Sequence, residues 1–296
     1  MRYKVAGHVF QIDGTDLYAA VAEKIDIPYR PFAVSDDERE GNPLFVMELQ
    51  KEALLWQESV PVFTNRDNVE PGFIALSVFK DDEGYHFEFT QSSSSLVNGR
   101  LSVSPDFSKA RMSLSGTDIE QWLTFTTGVN FCYMLSTAVH QTVLTHSSCV
   151  VYKGKAYIFL GKSGTGKSTH ARLWREMLGE KAVMVNDDKP FLHVGKNVVT
   201  AYGSPWNGKH GLGTDIQVPL KAICILERGP ENRIRPIAPE EALPMLLHQS
   251  YCPQEPGKRS RFEVLVRVLA DKVPLWHMYC NMDPSAAEVS HQAMSK

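Results

Sequence analysis

The amino-acid sequence predicts an α/β protein with two domains: a strand-rich α+β domain over residues 1–118 and a phosphate-loop domain with a mixed sheet over residues 119–296. Three observations support this prediction. Apolar and polar residues alternate in short runs between residues 73 and 114, as in β-strands. Apolar residues recur at helical spacing over residues 119–144. A glycine-rich stretch then separates an apolar run from a second helical segment, an order of elements typical of α/β phosphate-binding domains.

The first domain contains a predicted β-hairpin. Residues 73–79 and 85–90 are strand-like and enclose a turn at residues 81–84. One helix is predicted near residues 43–56, and the serine-rich stretch 91–95 is expected to be a loop. Further antiparallel strands are expected at residues 100–103 and 110–114. No motif in this domain indicates its role.

The second domain alternates strands and helices, which favours a mixed α/β sheet. Gly128 is expected to break the first helical segment into two helices. Strands are predicted at residues 149–152, 156–160, 182–185, 198–202, 220–227 and 275–280. Helices are predicted at residues 168–178, 239–248 and 261–270 and from residue 284 onward.

The composition is that of a globular protein without an extended charged surface. The chain has 296 residues and a formal net charge of −3, and its densest basic stretch is only residues 258–261. We therefore expect neither nucleic acid nor a membrane as a partner. No apolar run approaches the roughly 20 residues that span a bilayer, and residues 1–14 lack a secretory apolar core. The 5 cysteines are widely spaced, as in a reducing compartment, so a cytoplasmic location is predicted.

Residues 161–168 match the phosphate-loop pattern G-x-x-x-x-G-K-[ST]. Glycines at positions 164 and 166 let successive backbone N–H groups surround an anion, and the helix that begins near Lys167 directs its positive end at the same place. Lys167 is expected to contact the β- and γ-phosphates, and the Ser168 hydroxyl to ligate Mg²⁺. The pattern predicts a site for ATP, or another nucleoside triphosphate, with Mg²⁺. Its expected nucleotide-binding residues are Gly161, Lys162, Ser163, Gly164, Thr165, Gly166, Lys167, Ser168 and Thr169.

A second apolar run, downstream of the phosphate loop, ends in Asn186, Asp187 and Asp188. Carboxylates at the end of such a strand are typical of the Walker-B arrangement, in which they bind Mg²⁺. With two of them, one can hold the metal while the other accepts the proton of an attacking hydroxyl. The alternative is a plain turn, because Asn and Asp favour turns and Lys189 and Pro190 follow.

The order of these features resembles the C-terminal domain of HPr kinase/phosphorylase and its relatives, a P-loop group that includes the phosphoenolpyruvate carboxykinases. The matching residues are the segment 145–154, which contains His146, then the phosphate loop, then the aspartate pair. Residues 211–213 resemble part of a glycine-containing segment of that family. Residues 273–287 are similar to the C-terminal strand and helix of HPr-kinase-like proteins of unassigned substrate. The resemblance covers about residues 130–296 and implies the same type of P-loop fold.

The resemblance implies ATP- and Mg²⁺-dependent transfer of the γ-phosphoryl group to a hydroxyl, most often of serine, in a protein, peptide or small molecule. In that reaction Asp187 would be the catalytic base and Asp188 the metal ligand, and the order of the two stays open. His146 would lie near the transferring phosphate together with Lys167. For His146 the alternative is a structural histidine at a helix-to-strand junction.

The sequence departs from the family just before the glycine-containing segment. The family's glutamate and arginine correspond to Gly208 and His210, so HPr recognition and phosphorylase activity do not follow from the resemblance. The turn-rich stretch 203–208 precedes this position. It is either part of the nucleotide or acceptor pocket or a surface turn anchored by Trp206.

Two other classes of function are compatible with the sequence. A nucleotide-binding regulatory protein would use the phosphate loop without transferring a phosphoryl group. Carboxykinase-like chemistry would need further metal ligands and a substrate arginine, which the sequence does not reveal. Several arginines, among them Arg228, would either stabilise transition-state charge or lie on the surface. The acceptor stays unidentified, and because the family often forms oligomers a homo-oligomer is an open expectation.

Overall fold

The computed structural model describes residues 1–35, 41–56, 60–66, 74–91, 96–208, 211, 214–251 and 256–296. Contacts between Cα atoms divide the chain into two compact units, Met1–Ser136 (unit 1) and Thr137–Lys296 (unit 2). Each unit contains one mixed sheet with helices, so the protein has an α/β fold. Within these residues, no helix has the length and apolar character that crossing a membrane requires.

Unit 1 is built on a sheet that has eight strands among the described residues, in the order β1-β2-β3-β8-β7-β6-β5-β4. The strands are β1 (Arg2–Val5), β2 (His8–Asp13), β3 (Val46–Leu49), β4 (Phe63–Thr64), β5 (Ile74–Asp81), β6 (Gly84–Gln91), β7 (Val97–Val103) and β8 (Lys109–Leu114). The helices are α1 (Ala19–Lys24), α2 (Asp26–Tyr29) and α3 (Asp118–Thr137). The predicted hairpin is confirmed as β5 and β6. Helix α3, which the sequence analysis assigns to the second domain, groups with unit 1 as far as Ser136.

Two sequence predictions for these elements are wrong. Residues 43–56 contain strand β3 instead of a helix, because this segment pairs in parallel with β2 on one side and β8 on the other. Such pairing outweighs a local preference for helix. Helix α3 continues through Gly128, where a Cβ atom would lie 2.6 Å from Cε of Met112. The glycine therefore permits close packing and does not break the helix. Of the expected loop 91–95, residues 92–95 lie outside the described residues.

Unit 2 contains the glycine-rich loop. Its strands are β9 (Thr142–Leu144), β10 (Ser148–Tyr152), β11 (Lys155–Leu160), β12 (Ala182–Asn186), β13 (Phe191–Val194), β14 (Val199–Tyr202), β15 (Gln217–Arg228), β16 (Arg233–Pro236) and β17 (Leu275–Cys280). Its helices are α4 (Lys167–Leu178), α5 (Pro239–Gln249), α6 (Pro256–Lys272) and α7 (Ser285–Met294). The strands and helices predicted from residue 149 onward are confirmed with small shifts of their bounds, and β13 and β16 are additional. The helical pattern predicted over residues 119–144 is wrong at its end, because β9 occupies residues 142–144 and pairs with β13.

The strand order of the second sheet determines which strand ends lie next to each other. The order is β12-β10-β11-β15-β14-β13-β9, and β17 also pairs with β15. Strands β11 and β12 are both antiparallel to β10 and therefore run in the same direction. Strand β15 is parallel to β11, and β17 is parallel to β15. The carboxyl ends of β11, β12, β15 and β17 and the start of β10 consequently lie along one edge of the sheet.

Successive side chains of the central strand β11 point into two different hydrophobic cores. Ile158 of β11 packs with Leu246 of α5 and Val266 of α6, all buried. Its neighbour Phe159 belongs to the other core, where it packs with Trp174 of α4. Because successive strand residues point to opposite faces, α5 and α6 cover one face of the sheet and α4 and α7 cover the other. The sheet edge at which the carboxyl ends of these strands meet lies between the two helical layers.

Candidate functional site

A glycine loop, residues 161–166, connects β11 to α4. Gly161 and Gly166 have positive φ angles of 157° and 107°, values that residues with a Cβ atom rarely adopt. At Gly161 a Cβ atom would also lie 2.8 Å from the carbonyl oxygen of Leu226 on β15. Thr165 closes the turn by donating its N–H to the Lys162 carbonyl oxygen at 3.1 Å. These positions need glycine for the backbone path itself, and the path leads directly into a helix N-terminus.

Lys167 is the first residue of α4 and lies across the glycine loop. Its side chain is buried, with 8% exposed, and Nζ donates to the Gly161 carbonyl oxygen at 3.0 Å. Burial lowers the pKa of Lys167, and the negative charge of Asp188 opposes this effect. The ammonium group is thus held between the two ends of the loop, with the acidic side chain of Asp188, just after β12, within electrostatic range.

The start of α4 presents backbone donors. His170 donates the first helical hydrogen bond, to the Gly166 carbonyl oxygen at 2.8 Å. The N–H groups of the three residues before it have no carbonyl one turn earlier in the helix, as at every helix N-terminus. Ser168 is exposed and Thr169 is half-buried. This arrangement is suited to an anion at the N-terminus of the helix.

Asn186, at the end of β12, organises the turn that carries the aspartates. Its fully buried side chain donates to the Ser204 carbonyl oxygen at 3.2 Å and to Asn207 Oδ1 at 2.9 Å. Its Oδ1 atom accepts the N–H groups of Asp188 and Lys189 at 2.8 and 2.6 Å. The alternative interpretation of this segment, a turn, is therefore correct, but it is a buried turn that positions both aspartates. Sequence reasoning did not assign this role to Asn186.

Asp187 is buried and faces the stretch 203–208. Its Oδ1 atom accepts the Gly208 N–H at 2.7 Å, and a Cβ atom at position 208 would lie 3.1 Å from Oδ2. Ser204 and Trp206 of the same stretch are 0% and 3% exposed, so the surface-turn interpretation is wrong. The family resemblance also involves residues 210, 212 and 213. These three lie outside the described residues.

Asp188 interacts with three basic side chains. Its Oδ1 lies 3.2 Å from Nε2 of His146, and its Oδ2 lies 3.3 Å from Nζ of Lys189. Burial acts to raise the pKa of Asp188, but the hydrogen bonds and positive charges of His146 and Lys189 outweigh it and lower the pKa to about 2. The same carboxylate acts on Lys167. The structure thus brings together Asp188, His146 and Lys167, all identified from the sequence, and adds Lys189.

The backbone fixes His146 in front of β10. Its N–H donates to the Gln249 carbonyl oxygen at 2.7 Å, and the N–H of Ser147 donates to the Asp188 carbonyl oxygen at 3.0 Å. The His146 side chain is 39% exposed. Tyr251, just after α5, belongs to the same surroundings, because burial and the charge of Asp188 raise its pKa while Lys189 lowers it. No sequence signal identifies Tyr251, since only the fold brings it near β12.

The side chains present are suited to Mg²⁺ that arrives with a nucleotide. Within the part of the chain that the structure describes, no group of three or more His, Cys, Asp or Glu residues could hold a metal ion. Mg²⁺ commonly takes only one or two protein carboxylates and completes its shell with water and substrate phosphates. The Asp188 carboxylate and the exposed Ser168 hydroxyl are hard oxygen donors of this kind. They fit a metal–nucleotide complex better than a metal held by the protein alone.

Comparisons with known proteins find likenesses among solved structures. No family model and no curated protein matches the chain. Among solved structures, the HPr(Ser) kinase/phosphatase from Coxiella burnetii is similar over 52% of this chain and 99% of its own, with 11% sequence identity and a TM-score of 0.28. A likeness at this level assigns neither a family nor an activity, because function depends on the site and not on the fold.

Proposed function

We propose that this chain is a phosphotransferase of the kinase type. It binds ATP, or another nucleoside triphosphate, with Mg²⁺ and transfers the γ-phosphoryl group to a serine-like hydroxyl of a protein, peptide or small molecule. One relationship carries the proposal: Asp188, held by His146, lies within electrostatic range of Lys167 in the glycine loop. A carboxylate beside a phosphate-loop lysine is the pairing that phosphoryl transfer needs, with one group for the metal and one for the phosphate.

The phosphates are the ligand proposed for the glycine loop. Residues 161–169 supply backbone N–H groups and a helix N-terminus, and Lys167 supplies a charge. In the structure Nζ of Lys167 bonds the Gly161 carbonyl oxygen, so an incoming phosphate would exchange that acceptor for a stronger, charged one. The buried setting of the ammonium strengthens such a bond, because little water competes for it.

The metal ligands in this proposal are Ser168 and Asp188. Bound Mg²⁺ neutralises charge on the phosphates and orients them. The low pKa of Asp188, about 2, keeps its carboxylate ionised near neutral pH, as a metal ligand must be. Lys189 contacts Oδ2 of this carboxylate at 3.3 Å, and it would exchange this partner when a metal binds there.

The proton of the acceptor hydroxyl needs a base. Asp187 is the proposed base, and the bond from Gly208 N–H to its Oδ1 fixes the orientation of the carboxylate. His146 is a second candidate, because its half-exposed imidazole is oriented by Asp188 in the way that a carboxylate orients a catalytic histidine. The two candidates differ in burial, since Asp187 is 5% exposed and the side chain of His146 is 39% exposed.

Transfer of label from γ-labelled ATP tests the proposal. Purified protein, Mg²⁺ and a heat-inactivated lysate supply the reaction, and calorimetry measures the affinity for ATP separately. We expect labelled acceptor with wild-type protein and none with Asp187→Asn, while ATP binding largely survives because only the base is lost. Unchanged turnover in Asp187→Asn removes that residue from the mechanism and leaves His146→Asn as the decisive variant.

The same experiment separates the kinase from a nucleotide-binding regulatory protein. A regulatory protein would bind Mg²⁺ and ATP with an affinity that depends on Lys167 but would label nothing, in the lysate or in a set of serine-containing peptides. Absence of ATP binding would reject both functions.

A further inference from the structure

Two cavities flank the glycine loop on opposite faces of the second sheet. The smaller, of about 250 Å³, lies between the first turns of α4 and the ends of β15 and β17. The larger, of about 750 Å³, lies on the side of α5. Either cavity could hold the nucleoside of a nucleotide whose phosphates occupy the loop.

The smaller cavity is next to the end of the loop that becomes a helix. Gly166 and Thr169 line it, together with His170 and Leu173 of α4. Phosphates that follow the N–H groups of the first turn of α4 leave the loop on this side. The larger cavity is lined by residues 162–165 of the loop, but neither Gly166 nor a residue of α4 is among its lining residues. The path of the backbone donors thus leads toward the smaller cavity.

Arg228 lies between the two cavities and lines both of them. It is the last residue of β15, and its guanidinium group donates to the Gly164 carbonyl oxygen, which holds it against the loop. A planar guanidinium group in a fixed position stacks well on a flat aromatic ring. Because Arg228 is anchored to the loop, it is better explained as a functional residue than as a surface charge.

The remaining lining of the smaller cavity is suited to a heteroaromatic ring. Leu173 and Cys280 are buried apolar side chains, and Met282 is an exposed one at the rim. Apolar surfaces with a few polar groups are typical of small-molecule sites. The larger cavity is lined by the carboxylates Glu227 and Glu241 as well as by Lys162, Arg228 and His277, so it is the more charged of the two and less suited to an aromatic ring.

We propose that the smaller cavity holds the nucleoside, that is the base and ribose, of the nucleotide bound by the glycine loop. This inference rests on the proposed function, because it presupposes polyphosphate in the loop. It adds Arg228, Leu173 and Met282 as nucleoside-contacting residues. The larger cavity then stays available to the phosphoryl acceptor.

Calorimetric titration of the full chain with ATP and with inorganic tripolyphosphate, each with Mg²⁺, tests the inference. The variant is Met282→Ser, at a position that is 68% exposed and therefore tolerant of substitution. Met245→Ser, which removes the same side chain from the larger cavity, is the matched control.

We expect Met282→Ser to weaken ATP binding about fivefold, as loss of about one buried methylene-sized contact does, while tripolyphosphate binding is unchanged. Met245→Ser should leave both affinities unchanged. Selective loss of ATP affinity in Met245→Ser would place the nucleoside in the larger cavity and overturn the inference. Equal affinities of the wild-type protein for ATP and tripolyphosphate would overturn it as well, while leaving the phosphate loop intact. Binding of neither ligand would reject the proposed function, and the inference with it.

Discussion

Nε2 of His146 lies 3.2 Å from Oδ1 of Asp188, although the two residues are far apart in the sequence. His146 precedes β10 and Asp188 follows β12, and these neighbouring strands are antiparallel, so the start of one meets the end of the other. Strand β11 flanks β10 on its other side and leads into the glycine loop. The contact therefore joins an acid and a base at the sheet edge from which the glycine loop starts.

Asp188→Asn should remove the effect of Mg²⁺ on nucleotide binding. An amide is a weaker metal ligand than a carboxylate and lacks the charge that opposes the burial effect on Lys167. We expect ATP affinity in the presence of Mg²⁺ to fall about tenfold or more, the loss of one charged interaction, and phosphoryl transfer to stop. ATP titrations with Mg²⁺ and with a chelator measure the change.

The matched control for that variant is Asp271→Asn, at an exposed position in α6. It should bind ATP as the wild-type protein does. If Asp188→Asn retains the full Mg²⁺ dependence, Asp188 is not the metal ligand, and the role passes to Asp187.

Asn186→Leu should destabilise unit 2 strongly. The substitution removes the buried amide that joins β12 to the stretch 203–208 and leaves the Asp188 and Lys189 N–H groups without their acceptor. Buried polar groups that lose their partners cost about 1 to 3 kcal/mol each, so we expect a loss of about 3 kcal/mol or more in the free energy of unfolding.

Denaturant unfolding measures that loss, and Asn197→Leu is the control. Asn197 is exposed, so its substitution should change stability little. Equal stabilities of the two variants would show that the bonds of Asn186 do not hold the aspartate turn.

His170 should make stability depend on pH. Burial lowers its pKa from 6.5 to about 4, and the folded chain therefore favours the neutral ring. The unfolded chain binds the proton more readily, so the stabilisation is complete above about pH 6.5 and is lost as pH falls toward 4. The loss could reach about 3 kcal/mol, from a shift of this size.

Melting temperatures of the wild-type protein and His170→Gln between pH 7.5 and 4.5 test this expectation. The variant should lose less stability on acidification. Ser290 bonds Nε2 of His170 at 2.9 Å, and a glutamine can still reach such a hydroxyl, which limits the cost of the substitution at neutral pH. Parallel pH profiles would show that another group controls the acid transition.

The elements around the glycine loop were predictable because local sequence determines them. The strand, the loop and helix α4 each have their own pattern, and glycine is required at Gly161 by the backbone itself. The segment 43–56 was mispredicted because long-range pairing with β2 and β8 decides its structure, and no local signal reports that pairing.

The candidate site was predictable in part. His146, Lys167 and Asp188 were named from motif and resemblance, and the structure brings them together. Lys189 and Tyr251 were not identified as site residues, because their proximity to Asp188 depends on the turn at Asn186 and on the path of the chain after α5. Spacing in sequence does not contain that information.

The central claim is that Lys167 and the glycine loop bind a nucleoside triphosphate with Mg²⁺. The most direct measurement is the melting temperature of the wild-type protein and of Lys167→Met with ATP and excess Mg²⁺, with Lys155→Met as a control at an exposed position. Ligand at 100 times its Kd stabilises a folded protein by about 2.7 kcal/mol, so the wild type and Lys155→Met should melt several degrees higher with the ligand, and Lys167→Met should not. No shift in the wild type, or an equal shift in Lys167→Met, would contradict the claim.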